Sequence, residues 1–130
     1  LGLSKRLKQA SDLWLNNPRV PREASGTSGM TAAMNGAVNC STNDRWICEF
    51  INHGNNGLVV PPIDYENISV HEQDEYDLNK LYEILENQVL PLYYDNHEVW
   101  RQITQNGMRD VRFQFDSNRM AQEYYEILYK

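Results

Sequence analysis

Apolar and polar positions fall in short blocks along the first half of the chain, and the block lengths predict its elements. Residues 1–10 read as the tail of a helix. The run 12-DLWLN-16 is mostly apolar and is stopped by Asn17-Pro18, which suits a buried strand opening into a loop. The loop 17-NPRVPRE-23 carries two prolines and is irregular. From Gly29 the residues MTAAMN favour a helix, and Asn35-Gly36 supplies its stop. The runs 37-AVNCS-41 and 58-LVV-60 read as further short buried strands, the second ended by Pro61-Pro62. Between them, 44-DRWICEF-50 reads as a helical turn and 53-HGNNG-57 as a loop.

The second half has helical spacing. Leu78, Leu81, Tyr82, Leu85 and Val89 recur on one face behind Asp77 as N-cap, and Pro91 interrupts or kinks the helix. A second helix is expected over 97–106, with Trp100 and Ile103 inward and Gly107 as its stop. A third starts at Ser117 as N-cap, with Met120, Tyr124, Ile127 and Leu128 on one face, and the spacing of Tyr82, Trp100 and Tyr124 reads as core packing. The order predicts an α/β fold: a small parallel sheet followed by a helical C-terminal region. Residues 1–62 hold the sheet, 63–76 an acidic loop, and 77–130 the helices. Ligands on such sheets bind at the carboxyl ends of the strands.

Composition narrows the function. The 130 residues suffice for one core, with 41% hydrophobic and 23% charged residues. A net charge of −6 argues against a nucleic-acid or anionic-membrane surface. No apolar run approaches a bilayer span, no signal-peptide pattern is visible, and a cytoplasmic location is expected. Leu1 opens the chain without Met, which reads as a piece of a longer protein. Cys40 and Cys48 read as reduced thiols, and no His/Cys spacing fits a metal site. The acidic run 72-EQDEYD-77 reads as solvated, while Arg19 and Arg22 suit either a phosphate or nearby acids.

The candidate chemistry lies in 21-PREASGTSGMTAAMNG-36. A helix starting here leaves backbone N–H groups without partners, at the positive end of its dipole. Gly26 and Gly29 would let a ligand approach the backbone, and Thr27 and Ser28 add hydroxyls, a set able to cradle phosphate. Glu23 adds a carboxylate that accepts hydrogen bonds from sugar hydroxyls. The run matches neither the Walker pattern nor G-x-G-x-x-G, and many such turns only redirect the chain. Asn39 and Asp44 read as structural polar groups nearby.

Taken whole, 12-DLWLNNPRVPREASGTSGMTAAMNGAVNCSTNDRW-46 resembles the C-terminal domain of α-glucan (glycogen and starch) phosphorylases, and 82-YEILENQVLPLYYD-95 and 118-NRMAQEYYEILY-129 extend the likeness. The resemblance makes residues 1–130 one fragment of the C-terminal, Rossmann-like domain of a GT-B glycosyltransferase. It implies transfer of glucose between an α-1,4-glucan and phosphate with retention, glucose phosphate as product, and a pyridoxal phosphate cofactor whose phosphate takes part in proton transfer. It places the glucosyl pocket at Glu23, Ala24, Ser25 and Gly26, and the cofactor phosphate at Thr27, Ser28 and Gly29.

The chain departs from the family pattern twice. Thr31 stands where the family has the lysine that forms an imine with pyridoxal phosphate, and a hydroxyl cannot do this. Arg45 stands where the family has glycine. Three readings follow: an impaired phosphorylase, a sugar-nucleotide-dependent glucosyltransferase of the glycogen-synthase type using the same cradle, or a non-catalytic glucan-binding module. The fragment alone is expected to be inactive, for want of the rest of its GT-B protein. An apolar surface exposed by the missing part would favour self-association.

Overall fold

The computed structural model describes residues 2–129. Helix α1 (Gly2–Gln9) leads into strand β1 (Leu13–Asn16). An irregular loop then reaches α2 (Thr27–Met34), followed by β2 (Val38–Ser41), the short α3 (Trp46–Phe50) and β3 (Leu58–Val59). The three strands form a parallel sheet in the order β1-β2-β3. Leu13 pairs with Val38 and Cys40 with Leu58. The expected α/β architecture is therefore present, with every strand where the apolar blocks place it.

All of β2 is buried, as a central strand covered on both faces should be. Val38, Cys40, Leu58 and Val60 pack with Leu81, Ile84, Val89, Trp100 and Ile103 in one cluster. A second cluster joins Ala33, Trp46, Ile47, Phe50 and Val111. Cys40 and Cys48 are both free thiols. Burial pushes the Cys40 thiol up to about 11, so it stays protonated and unreactive.

Several helix boundaries differ from the sequence reading. Helix α4 (Val70–Ile84) begins well before Asp77, and its N-cap is Ser69. Ser69 Oγ accepts from Glu72 N, and the Glu72 carboxylate accepts from Ser69 N at 2.8 Å, a complete capping box. Half of the expected acidic loop, from residue 70 on, is thus the first part of a helix. On this helix Leu81 and Ile84 turn inward, while Leu78 and Tyr82 are exposed. A π-helical turn at Leu85–Val89 joins α4 to α5 (Leu90–Tyr94). The wide turn sits immediately before Pro91, which has no N–H to continue an α-helical ladder.

Helix α6 (His97–Gln114) runs through Gly107, which does not end it. A Cβ at Gly107 would lie 3.0 Å from the carbonyl oxygen of Asn56, so the glycine lets the 53–57 loop rest on the helix. Trp100 and Ile103 face inward as expected. Helix α7 (Ser117–Leu128) is capped by Asp116, whose side chain accepts from Asn118 N, one residue before the expected Ser117. Its apolar face is not inward: Met120, Tyr124, Ile127 and Leu128 are all exposed. Tyr82 and Tyr124 are accordingly not core residues, although Trp100 is.

Candidate functional site

The signature lies at the carboxyl ends of β1 and β2. Asn16, the last residue of β1, donates from Nδ2 to Glu23 Oε2 at 3.0 Å. The other carboxylate oxygen of Glu23 accepts from Ala24 N at 3.0 Å. Beyond β2, the buried Asp44 accepts from Glu23 N at 2.8 Å, and Arg45 Nε donates to Glu23 O at 3.1 Å. Asn16 and Ala24 N thus hold the Glu23 carboxylate at the strand ends, while Asp44 and Arg45 hold its main chain.

Helix α2 starts two residues earlier than its sequence suggests, so Thr27 and Ser28 belong to its first turn. Gly26 is the N-cap at φ 74°, and no side chain caps the helix. The first-turn N–H groups are therefore left for solvent or a ligand. Thr27 and Ser28 are exposed beside them, and Ser25 Oγ lies 3.0 Å from Thr27 Oγ1.

The two glycines serve a purpose the sequence reading did not assign. An ideal Cβ on Gly29 would lie 2.4 Å from Cζ2 of Trp46 and 2.9 Å from Asn39 Oδ1, and one on Gly26 would meet the same indole. Both glycines are buried, and the space that a Cβ would take at each is filled by Trp46. Asn39, also buried, donates to Gly29 O at 3.1 Å. Asn39 Oδ1 and Trp46 Nε1 are buried without partners. The indole beneath the glycines thus sets the path of the turn.

Arg45 has φ 48° and ψ −122°, and among the described residues it is the one non-glycine with positive φ. The backbone at this position has kept a conformation suited to glycine. Arg19 and Asp74 pair through two hydrogen bonds of 2.7 and 2.6 Å, which ties the loop to α4. The hydrogen bond from Arg19 holds the Asp74 carboxyl below the usual carboxylate range. Arg19 is therefore engaged with an acid. A cavity of about 410 Å³ lies beside this pair, lined by Asn17, Pro18, Thr42 and Asp77, and the signature residues do not border it.

Sequence reasoning missed one side chain at the site. Lys8, at the end of α1, donates from Nζ to Thr31 Oγ1 at 3.1 Å. Thr31 Oγ1 in turn donates to Thr27 O. The two residues are 23 positions apart, so no local spacing reveals the contact. The fold brings it about by passing the chain from α1 through β1 and back along α2. The donor set on this face of α2 is open N–H groups, two exposed hydroxyls and one primary ammonium. It fits a small phosphate ester that carries an aldehyde, which is the chemistry of pyridoxal phosphate. No cluster of three or more metal-ligating side chains occurs among the described residues, and no helix there is long and apolar enough to cross a membrane.

Comparison with known proteins extends over the whole chain. It is 38% identical over 135 aligned residues to the maltodextrin phosphorylase of Thermococcus litoralis, covering 99% of this chain and 15% of that protein. It is 36% identical to the glycogen phosphorylase of Aquifex aeolicus, covering 98% of this chain and 18% of that protein. An uncharacterized protein of Methanocaldococcus jannaschii is 42% identical over all of this chain and 24% of its own length. The chain spans between a seventh and a quarter of the length of these relatives. No protein-family model and no solved structure matches it. The likeness carried by residues 12–46 therefore holds from end to end: the chain is a segment of the α-glucan phosphorylase family.

Proposed function

We propose that this chain is part of a retaining glucosyltransferase of the GT-B type that acts on α-1,4-glucans, with phosphate as acceptor and glucose phosphate as product. The observation that carries this reading is the pairing of an anchored carboxylate with an uncapped helix start. Glu23, held by Asn16 and Ala24 N, stands next to the exposed hydroxyls of Thr27 and Ser28. Residues Glu23 to Gly26 bind the glucosyl unit, Glu23 by accepting hydrogen bonds from its hydroxyls. Thr27, Ser28 and Gly29 hold the phosphate of pyridoxal phosphate through their N–H groups and hydroxyls. Bound there, pyridoxal phosphate would supply a second phosphate that exchanges a proton with the substrate phosphate. The side chains of this segment bind and orient. The basic groups that complete the phosphate site belong to the rest of the protein, so the 130 residues alone are inactive.

Thr31 favours a second reading. Without a lysine in the helix, the same cradle suits the distal phosphate of a sugar nucleotide, and the protein would then be a synthase. One experiment separates the two. Full-length protein is incubated with a maltooligosaccharide and phosphate plus pyridoxal phosphate, and separately with nucleotide-linked glucose. Glucose phosphate formed only in the first mixture supports the phosphorylase reading. Glucan extension only in the second supports the synthase. Glucan retention with neither reaction supports a binding module and overturns both.

A further inference from the structure

We propose that Lys8 takes the place of the missing lysine at position 31 and forms the covalent link to pyridoxal phosphate. The inference rests on the phosphorylase reading above and adds to it a residue from a different element. Three observations carry it. Lys8 Nζ lies 3.1 Å from Thr31 Oγ1, so a primary amine is present at this position although the helix itself supplies none. Thr31 lies one turn after Thr27 on the same face of α2, as its hydroxyl bond to Thr27 O requires. The amine therefore sits about 5–6 Å along the helix from the phosphate cradle. Finally, Lys8 has no carboxylate partner among the described residues, in a chain with 18 acidic residues.

The surroundings suit an amine awaiting a ligand. Lys8 is half-buried, and its Nζ stands 5.9 Å from the centroid of the Trp14 ring on β1. The amine lies over this ring while the Thr31 hydroxyl accepts its hydrogen bond. A threonine at 31 also leaves more room than a lysine would. The substitution that removes one anchor thereby admits another.

The step balances without a further reagent. The ammonium of Lys8 first gives a proton to solvent. The free amine then adds to the aldehyde carbon of pyridoxal phosphate, the C–N bond becomes C=N, and the aldehyde oxygen leaves as water. No electron is exchanged. The bond is reversible and becomes permanent when borohydride reduces the C=N bond.

That reduction gives the test. The full-length protein is equilibrated with pyridoxal phosphate, binding is measured by dialysis, and the sample is reduced with borohydride and mapped by peptide mass. The expected result is a pyridoxyl adduct on Lys8. In Lys8→Arg the adduct is lost while non-covalent binding at the cradle persists. In Thr31→Lys the adduct moves to the introduced side chain. Binding with an adduct on another lysine, or with none, overturns the role of Lys8 and leaves the cradle reading intact. Absence of binding in the dialysis overturns the cradle reading and the Lys8 inference together.

Discussion

Trp46 and Gly26 compete for one space: a Cβ on Gly26 would lie 1.8 Å from Cδ1 of the indole and 2.2 Å from Nε1. The tryptophan stacks on Phe50 with centroids 5.1 Å apart and meets Phe115 of the α6 C-cap edge-on at 5.8 Å, so it has nowhere to go. Gly26 also has φ 74°, where an L side chain is strained. The Gly26→Ala variant should therefore lose roughly 3 kcal/mol or more, from overpacking together with backbone strain. Urea denaturation checks this. A loss below about 1 kcal/mol would mean that the indole moves freely, contrary to its packing.

Arg45 offers the opposite change. Its φ of 48° is one that glycine adopts without strain. Against this, Arg45→Gly removes the hydrogen bond from Nε to Glu23 O, which is exposed. It also adds chain entropy to the unfolded state. Relief of about 1–2 kcal/mol of left-handed strain outweighs these losses, so a net gain of about 1 kcal/mol is expected. A rise in melting temperature on Arg45→Gly, absent for Arg45→Ala, would confirm that the conformation and not the charge is responsible. Equal effects of the two variants would refute it.

The parts of the fold visible in the sequence were those written in local chemistry. The blocks 12–16, 37–41 and 58–60 became β1, β2 and β3 because short apolar runs closed by Pro or polar residues have few other uses. Asn35-Gly36 stopped α2 as expected, with Gly36 at φ 90°. Tertiary partners defeated the rest. Gly107 looks like a helix stop until Asn56 O is seen lying against it. Asp77 looks like a cap, but Ser69 and Glu72 form a complete capping box upstream, a pattern that was present in 69-SVHE-72. The α7 face that reads as core has no buried residue. Within the site, Glu23 and the α2 start were legible as chemistry. Lys8 was not, because its contact depends on how α1 and α2 pack across β1.

The Arg19–Asp74 pair makes a prediction about pH. The hydrogen bond from Arg19, the largest cause, lowers the Asp74 midpoint in the folded state. Between that midpoint and the ordinary one, the unfolded chain binds more protons, so stability rises with pH across this window. The contribution of the pair is fully present above the ordinary carboxylate range and is lost as pH falls through the folded midpoint. Carboxyl NMR titration of Arg19→Met should return Asp74 toward the ordinary value. Glu72 should stay low in that variant, because its shift comes from Ser69. If both move together, the cause is a general change in charge and not the pair.

Asn39 tests how dry the base of the signature is. It is 1% exposed, donates from Nδ2 to Gly29 O and leaves Oδ1 without a partner. In Asn39→Asp the side chain keeps its shape but loses the N–H donor. Ionised, the introduced carboxyl would face Gly29 O with no hydrogen to offer, in a site closed to water. Protonated, it could donate its O–H to that same carbonyl. Its folded midpoint must therefore lie above its unfolded one. A raised acid carries its deficit at high pH: the variant should approach the parent below the ordinary carboxylate range and weaken as pH rises toward the folded midpoint. At neutral pH the loss should be ~3 kcal/mol or more. Denaturant midpoints for the parent and Asn39→Asp, measured from acid to neutral pH, should diverge steadily. Parallel curves would show that water reaches Asn39 and that Trp46 does not seal the turn.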